Sequence, residues 1–90
     1  MLLGRVVNNV WSTRKDETLT GMKFMIVQII ESPDNELGGR ILVAVDQIGA
    51  GIGEKVLVAR GSAARRMQNL KDAPVDAAII GIIDEDKQDD

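Results

Sequence analysis

Short apolar segments rich in valine and isoleucine, separated by turn residues, constrain the fold of this chain most strongly. Segments of this length and composition are typical of β-strands. The sequence predicts five of them, at residues 2–12, 22–31, 40–46, 55–60 and 76–84. Ninety residues suffice for one small domain, and closing five strands into a barrel removes the exposed edges of an open sheet. We therefore expect an all-β fold, a small closed five-stranded barrel.

One short helix is predicted between the fourth and fifth strands, over residues 61–66. Ser62 is a suitable N-cap, since its hydroxyl can accept a hydrogen bond from a free amide of the first turn. Ala63 and Ala64 favour helix, and Arg65 lies towards the negative end of the helix dipole. A helix this short can cover one strand of a barrel at most.

Several strands are apolar on both faces. Successive strand residues point to opposite sides, so a strand with one wet face alternates apolar and polar residues. In the second strand Phe24 and Ile26 share one face, while Met25 and Val27 share the other. The fifth strand is expected to place its residues on alternating faces in the same way, with Ile79 and Gly81 on one side. The residues expected opposite them are Ala78, Ile80 and Ile82.

The interior of a small barrel can hold only one of these two apolar sets. Burial of one Ile or Val side chain stabilises a fold by about 1.5–3 kcal/mol. Leaving four or five of them in water would forfeit roughly 10 kcal/mol, which is comparable with the whole stability of a small domain. We therefore expect the outward set to be covered by further copies of the same chain.

A glycine-rich loop, residues 49–53, lies between the third and fourth strands. It does not fit the dinucleotide-binding pattern, because Glu54 occupies the place of the last glycine and the loop leads into a strand. A phosphate-binding P-loop would need a Gly-Lys-Ser/Thr sequence, which does not follow. A tight turn with glycine-only backbone conformations is the favoured interpretation.

The sequence offers little for catalysis or metal binding. It contains no cysteine and no histidine, which removes disulfides, the thiolate and imidazole metal ligands, and the commonest general base. Asp46 and Glu54, on either side of the glycine loop, are the remaining candidates for an acid–base pair. Carboxylates at strand ends are more often solvated or ion-paired, so we expect no enzyme activity, no cofactor and no metal.

Binding of single-stranded nucleic acid is the alternative function, because small five-stranded barrels include OB folds. Such binding depends on stacking aromatic side chains set in a basic groove. This chain has one Trp, one Phe, no Tyr and a net charge of −3. Trp11 is a candidate for stacking on a base, whereas Phe24 lies in an apolar strand and is expected in the core. We expect no nucleic-acid partner.

The charge of the chain is uneven along its length. Residues 84–90 hold five acids and one lysine, which leaves residues 1–83 with a balance of +1. We expect a single barrel domain at residues 1–84 and a solvated acidic tail at residues 85–90. No apolar run approaches the roughly 20 residues that span a bilayer, and no secretory signal is recognisable. The sequence therefore predicts a soluble cytoplasmic protein without a membrane partner.

Several segments, in their order and spacing, resemble the EutN/CcmL family of bacterial microcompartment vertex proteins. The similar segments are LGRVV at 3–7, KFMIVQ at 23–28, VAVD and IGAG within 43–51, VLVARGSAAR at 56–65, and PVD and IGIID within 74–84. The resemblance covers nearly the whole chain.

The resemblance implies an OB-like barrel that assembles as a homopentamer and caps the vertices of a microcompartment shell, carboxysome-like or metabolosome, in the bacterial cytoplasm. The implied partners are copies of itself and hexameric shell proteins, and the implied role is structural. By the same analogy, the glycine loop and the segment after the fourth strand would lie at subunit contacts or near an axial opening. These residues are Gly49, Ala50, Gly51, Ile52, Gly53, Arg60, Gly61, Ser62 and Arg65.

Overall fold

A computed structural model describes residues 1–10, 22–32, 34–61 and 76–85. Five strands in these ranges form a closed barrel in the spatial order β1-β2-β3-β5-β4, which confirms the predicted fold. The helix predicted at residues 61–66 lies outside the described residues except for its first position, and so do residues 11–12 of the first predicted strand. The strands are β1 (Leu2–Val10), β2 (Lys23–Ile29), β3 (Ile41–Asp46), β4 (Lys55–Arg60) and β5 (Ala77–Ile83).

The barrel closes through one parallel pair of strands. Neighbouring strands are antiparallel in the pairs β1–β2, β2–β3, β1–β4 and β4–β5. Strands β3 and β5 run parallel, with Val45 opposite Ala78 and Asp46 opposite Ile79. After β3 the chain forms β4, which pairs with β1. It then forms β5, which lies between β3 and β4 and closes the barrel. The predicted strand bounds lie within two residues of the observed ones at every described end. The start of β1, the end of β3 and both ends of β4 agree.

Alternate residues of the strands fill the barrel interior. Met25, Val27 and Ile29 of β2 are all buried, and they belong to one cluster with residues of the other strands. This is the odd-numbered set of β2, so the even-numbered set points outward. The other buried interior residues are Val6, Ala44, Val56, Val58, Ala77 and Ile79.

A second apolar cluster covers part of the outer face. Phe24, Val45, Ala78 and Ala59 are successive cross-strand partners on β2, β3, β5 and β4. Val45, Ala78 and Ala59 are buried within the single chain. The prediction that the outward set as a whole needs another copy to cover it is therefore wrong for this half of the barrel. The partly buried side chains against this cluster are Met22, Phe24 and Ile80.

A bulge in β5 breaks the alternation expected from the sequence. Val58 pairs with Ile79, but the next pairs are Leu57 with Gly81 and Val56 with Ile82. One extra residue therefore sits on β5 at position 80. Ile79 and Ile82 are the partners of the interior residues Val58 and Val56, so the prediction that Ile82 lies on the face opposite Ile79 is wrong. Ile82 is nevertheless 40% exposed.

The connection from β2 to β3 depends on a close backbone approach at Gly39. A 3₁₀ turn, Glu36–Gly38, precedes this glycine. The Ile29 amide donates to the Arg40 carbonyl at 2.7 Å, and Gln28 Nε2 donates to the Gly39 carbonyl. A Cβ atom at Gly39 would overlap the Ile29 carbonyl oxygen. This backbone atom belongs to β2, so it cannot move aside without disturbing the barrel wall.

We predict that Gly39→Ala destabilises the fold by about 1–3 kcal/mol, the usual cost of overpacking a rigid site. Gly81→Ala is the matched control, because a Cβ there meets the Leu57 side chain at an ordinary 3.5 Å. Urea midpoints at equal protein concentration measure both changes. Equal midpoints for the two variants would show that the approach at Gly39 does not constrain the fold.

Candidate functional site

The loop from residue 47 to residue 53, called the glycine loop from here on, contains the glycine-rich residues 49–53. It is held by the carboxylate of Asp46, the last residue of β3. Asp46 Oδ1 accepts hydrogen bonds from the amides of Ile48 at 3.0 Å and Gly49 at 3.1 Å. Its Oδ2 accepts from the Ala50 amide at 2.8 Å. The Asp46 side chain is fully buried. Three backbone donors therefore satisfy a carboxylate that would otherwise be costly to bury.

Lys23 supplies positive charge beside this carboxylate. It is the cross-strand partner of Asp46 in the β2–β3 pair. Its Nζ lies 3.7 Å from Asp46 Oδ2 and donates to the Ala50 carbonyl at 3.4 Å. The lysine ammonium group is half-exposed, so it is partly solvated as well as paired with Asp46. Its hydrogen bond to the Ala50 carbonyl connects the loop backbone to β2.

The second half of the loop is bonded to itself and to β1. Glu54 Oε1 accepts from the Gly51 amide at 2.6 Å, and the Glu54 amide donates to the Gly51 carbonyl at 3.2 Å. The Gly53 amide donates to the Val6 carbonyl at 2.8 Å. Gly49 and Gly53 have φ values of +88° and +92°, a region that side-chain-bearing residues rarely adopt. The predicted tight turn with glycine-only conformations is confirmed.

The loop has one buried and two exposed apolar side chains. Ala50 is fully buried and belongs to the interior cluster, so the loop folds across one end of the barrel. Ile48 and Ile52 point away from it and are 44% and 60% exposed. The loop is thus hydrogen-bonded at both of its ends and exposes two isoleucines to solvent.

A second exposed apolar surface lies on the barrel wall, and we call it the outer patch: Val7, Ile26, Ile41 and Val43. Ile26 and Val43 are cross-strand partners on β2 and β3. Val7 is the bulged residue of β1 beside Ile26. Ile41 and Val43 are 61% and 54% exposed. Ile26, between Val7 and Val43, is half-buried. Exposed apolar patches are typical of contacts with other proteins, so the outer patch is a candidate contact surface.

The remaining candidates from the sequence lie away from the loop. Gly61, with φ +63°, donates its amide to the Asp76 carbonyl at 2.9 Å, and Arg60 Nη2 lies 3.8 Å from Asp76 Oδ2. Arg60 ends β4 whereas the loop precedes it, so the two groups are about 16 Å apart along the strand. Ser62 and Arg65 fall outside the described residues.

Arg5 joins three distant segments, a role that sequence reasoning missed. Its guanidinium donates to Glu36 in the 3₁₀ turn at 3.0–3.2 Å, to both Glu85 carboxylate oxygens at 2.9 and 3.2 Å, and to the Gly53 carbonyl at 3.0 Å. Hydrogen bonds to Glu85 and then Glu36 raise the pKa of Arg5. The hydrogen bond from Arg5 likewise lowers the pKa of Glu85. The partners are 31 and 80 residues away, so no local pattern could have revealed them.

The lowered pKa of Glu85 predicts a pH dependence with a definite sign. In acid the unfolded chain binds the proton more readily than the folded one, so the Arg5–Glu85 contact stabilises the fold above pH 4.5. This contribution is lost as the pH falls through the folded-state pKa. We predict that Glu85→Gln has a lower urea midpoint than the native chain at pH 7, and that this deficit becomes smaller as the pH falls below 4.5.

Asp34→Asn is the charge-matched control for that experiment, because Asp34 is exposed and only its backbone amide is hydrogen-bonded in the structure. It should leave the midpoint nearly unchanged at pH 7 and in acid. A Glu85→Gln deficit that persists undiminished in acid would contradict the assigned contact.

The carboxylates flanking the loop support backbone structure. Asp46 and Glu54 both accept loop amides, so neither is an unengaged acid or base. In the described ranges, no group of three or more His, Cys, Asp or Glu residues is arranged to hold a metal ion. Across the same ranges, no helix has the length and apolarity needed to cross a membrane.

The described surface also lacks a basic aromatic groove. Each arginine in the described ranges pairs with a carboxylate: Arg5 with Glu36 and Glu85, Arg40 with Glu31, and Arg60 with Asp76. Phe24, expected in the core, is half-buried against the outer cluster and does not belong to the interior cluster. Trp11 is outside the described residues. Nucleic-acid binding is therefore not favoured.

Comparison with known proteins identifies the family. The model of the family described as "Ethanolamine utilisation protein EutN/carboxysome" matches residues 1–84. The chain belongs to the EutN/CcmL family. The carboxysome shell vertex protein CcmL of Thermosynechococcus vestitus is 49% identical over 84 residues, which cover 93% of this chain and 84% of that protein.

Solved structures of EutN/CcmL proteins share the fold. CcmL of Nostoc sp. PCC 7120 superposes with a TM-score of 0.86 at 41% identity, covering 93% of this chain and 88% of that one. GrpN, a pentameric microcompartment shell protein of Rhodospirillum rubrum, gives a TM-score of 0.79 at 41% identity, covering 93% and 94%. These relatives are structural proteins of shells, and this EutN/CcmL chain is likewise not an enzyme.

Proposed function

We propose that this chain is a shell vertex protein: five copies form a closed ring that fills a vertex of a bacterial microcompartment shell in the cytoplasm. The observation that carries this proposal is the match over nearly the whole barrel to GrpN, a pentameric shell protein, at 41% identity. Membership of the EutN/CcmL family over residues 1–84 supports the same role.

The function is geometric. A flat lattice of six-fold tiles cannot close on itself, whereas a five-fold unit at each vertex introduces the curvature that closure needs. The partners that this role requires are hexameric shell proteins surrounding the ring. A rigid barrel with few internal degrees of freedom suits a unit that must hold a fixed angle between its neighbours.

A ring of five needs two different contact surfaces on every subunit. In a heterologous interface one surface of each copy meets another surface of the next, and the ring closes by rotation. Two of the exposed apolar surfaces among the described residues are the outer patch, around Ile41 and Val43, and the glycine loop, with Ile48 and Ile52. We assign both to contacts between copies of the chain.

Within the loop, the exposed residues are assigned to the contact with the next copy and the buried residue to the barrel interior. Ile52 is the residue placed against the neighbouring copy, while Ala50 serves the barrel interior. Gly49, Gly51 and Gly53 shape the turn. The second group of candidates, Arg60, Gly61, Ser62 and Arg65, follows the opposite end of β4 and is proposed for a separate contact or the rim of the axial opening.

The barrel domain is proposed to end at residue 84, where the family match also ends. The acidic tail, residues 85–90, begins at a fixed point, because Glu85 is bonded to Arg5 on the barrel wall. Glu85 itself lies close to the glycine loop, because the Gly53 carbonyl accepts from the same guanidinium.

We predict that Val43→Asp and Ile52→Asp each shift the chain from rings towards single subunits. Burial of one such side chain stabilises a contact by about 1.5–3 kcal/mol, and a buried unpaired carboxylate opposes association further. Sedimentation velocity at micromolar concentration measures the shift. Asn35→Asp is the control, since it adds the same charge at an exposed polar position.

Rings that persist in both apolar variants would contradict the assignment of these surfaces. The shell role has its own test, which is mixing the native chain with hexameric shell proteins of one microcompartment and imaging the product. Closed shells that form only when the chain is present support the proposal. Closed shells that form equally well without it would overturn the vertex role.

A further inference from the structure

We propose that Asp46 is a positioning residue for ring assembly: its carboxylate sets the glycine loop in its docking shape before a second copy of the chain binds. This inference rests on the proposed function, since it assumes that the loop contacts a neighbouring subunit. It adds a residue that touches no neighbour and acts through the loop backbone.

The distribution of hydrogen bonds is the first observation. A buried carboxylate accepts the amides of Ile48, Gly49 and Ala50 within 3.1 Å, and these are three consecutive donors of the loop. The fold of the strands does not need these bonds, because β3 already pairs with β2 and β5 through its own backbone. These hydrogen bonds therefore stabilise the conformation of the loop.

The placement of the two exposed isoleucines is the second observation. Ile48 follows Asp46 by two residues, and its own amide is one of the three donors. Ile52 follows Ala50, which is buried in the barrel interior, and lies within the turn that Glu54 closes on Gly51. Both isoleucines are therefore fixed relative to the barrel in a single subunit, although water surrounds much of each side chain.

Preset shape matters because association costs conformational entropy. Ordering a loop residue at the moment of binding costs about 1–2 kcal/mol of backbone entropy, and a ring repeats that cost at each of its contacts. A loop held by Asp46 in the free subunit avoids it, which is the general gain from preorganisation. Removal of the carboxylate should therefore weaken the ring more than it weakens the barrel.

Asp46→Asn is the direct variant. An asparagine retains one acceptor oxygen and places an NH₂ donor where the second oxygen stood, so at least one loop amide faces another donor. Lys23 loses its ion pair as well. We expect the concentration at which half of the chain is in rings to rise about tenfold. Asp34→Asn, which removes an exposed charge, should leave it unchanged.

A double-mutant cycle separates positioning from general support of the fold. Ile52→Ser should raise the half-assembly concentration about tenfold in the native background and less than about twofold in Asp46→Asn, because a loosened loop no longer presents that side chain. Additive effects of the two substitutions would overturn the proposal. If Asp46→Asn does not fold, the exchange of the Ile48, Gly49 and Ala50 amides in single subunits with Asp46 intact decides between the two roles.

Hydrogen exchange tests the preset shape without depending on rings. In the full chain with Val43→Asp, held as single subunits, the amides of Ile48, Gly49 and Ala50 should stay protected. Adding Asp46→Asn should raise their exchange rates at least about tenfold while the amides of β2 stay protected. Free exchange of the loop amides while Asp46 is intact would overturn the proposal.

The two kinds of failure are distinguishable. Rings that are unaffected by Ile52→Ser would remove the loop from the interface and overturn the positioning role, yet leave the five-fold ring in place. A native chain that forms no ring at any concentration would instead contradict the proposed function, and the positioning role with it.

Discussion

The barrel has room inside for only one of the two apolar faces that its strands carry, and the rest of the structure follows from this constraint. The odd-numbered residues of β2 fill the interior, which turns Phe24 and Ile26 outward. The chain covers part of the outward set itself, around Val45 and Ala78. The part around Ile41 and Val43 stays exposed. A single subunit thus has a closed, packed barrel and still exposes apolar surface, as expected of a protein that functions as an assembly.

The glycine loop shows how a fold of this size keeps an exposed segment rigid. A buried carboxylate at one end, a buried alanine in the middle and a glutamate-closed turn at the other end determine its path. Arg5 adds a fourth tie, from the loop to the 3₁₀ turn and to Glu85. The charged residues of this region therefore hold the loop backbone in one conformation, which agrees with a structural role in a family of shell proteins.

Residue patterns predicted the strands well because runs of valine and isoleucine between turn residues have few alternative structures, and β4 agreed at both ends. The pattern also predicted that both faces of several strands are apolar. It could not reveal the bulge at Ile80, which depends on the register against Leu57 and Val58. Nor could it reveal the burial of Val45, or Arg5 as a junction, since both arise from residues far apart in sequence. The sequence shows that Asp46 precedes the glycine loop. It does not show that the carboxylate accepts three loop amides, because that depends on the folded path of the loop.

The central claim is that exposed apolar surface on the barrel drives five copies into one closed ring. Native mass spectrometry of the unmodified chain, sprayed from a volatile buffer over a series of concentrations, tests it most directly. The account predicts a dominant species of five chain masses that persists on dilution to the low micromolar range, without a ladder of larger oligomers. A folded single chain as the dominant species throughout the series would contradict it.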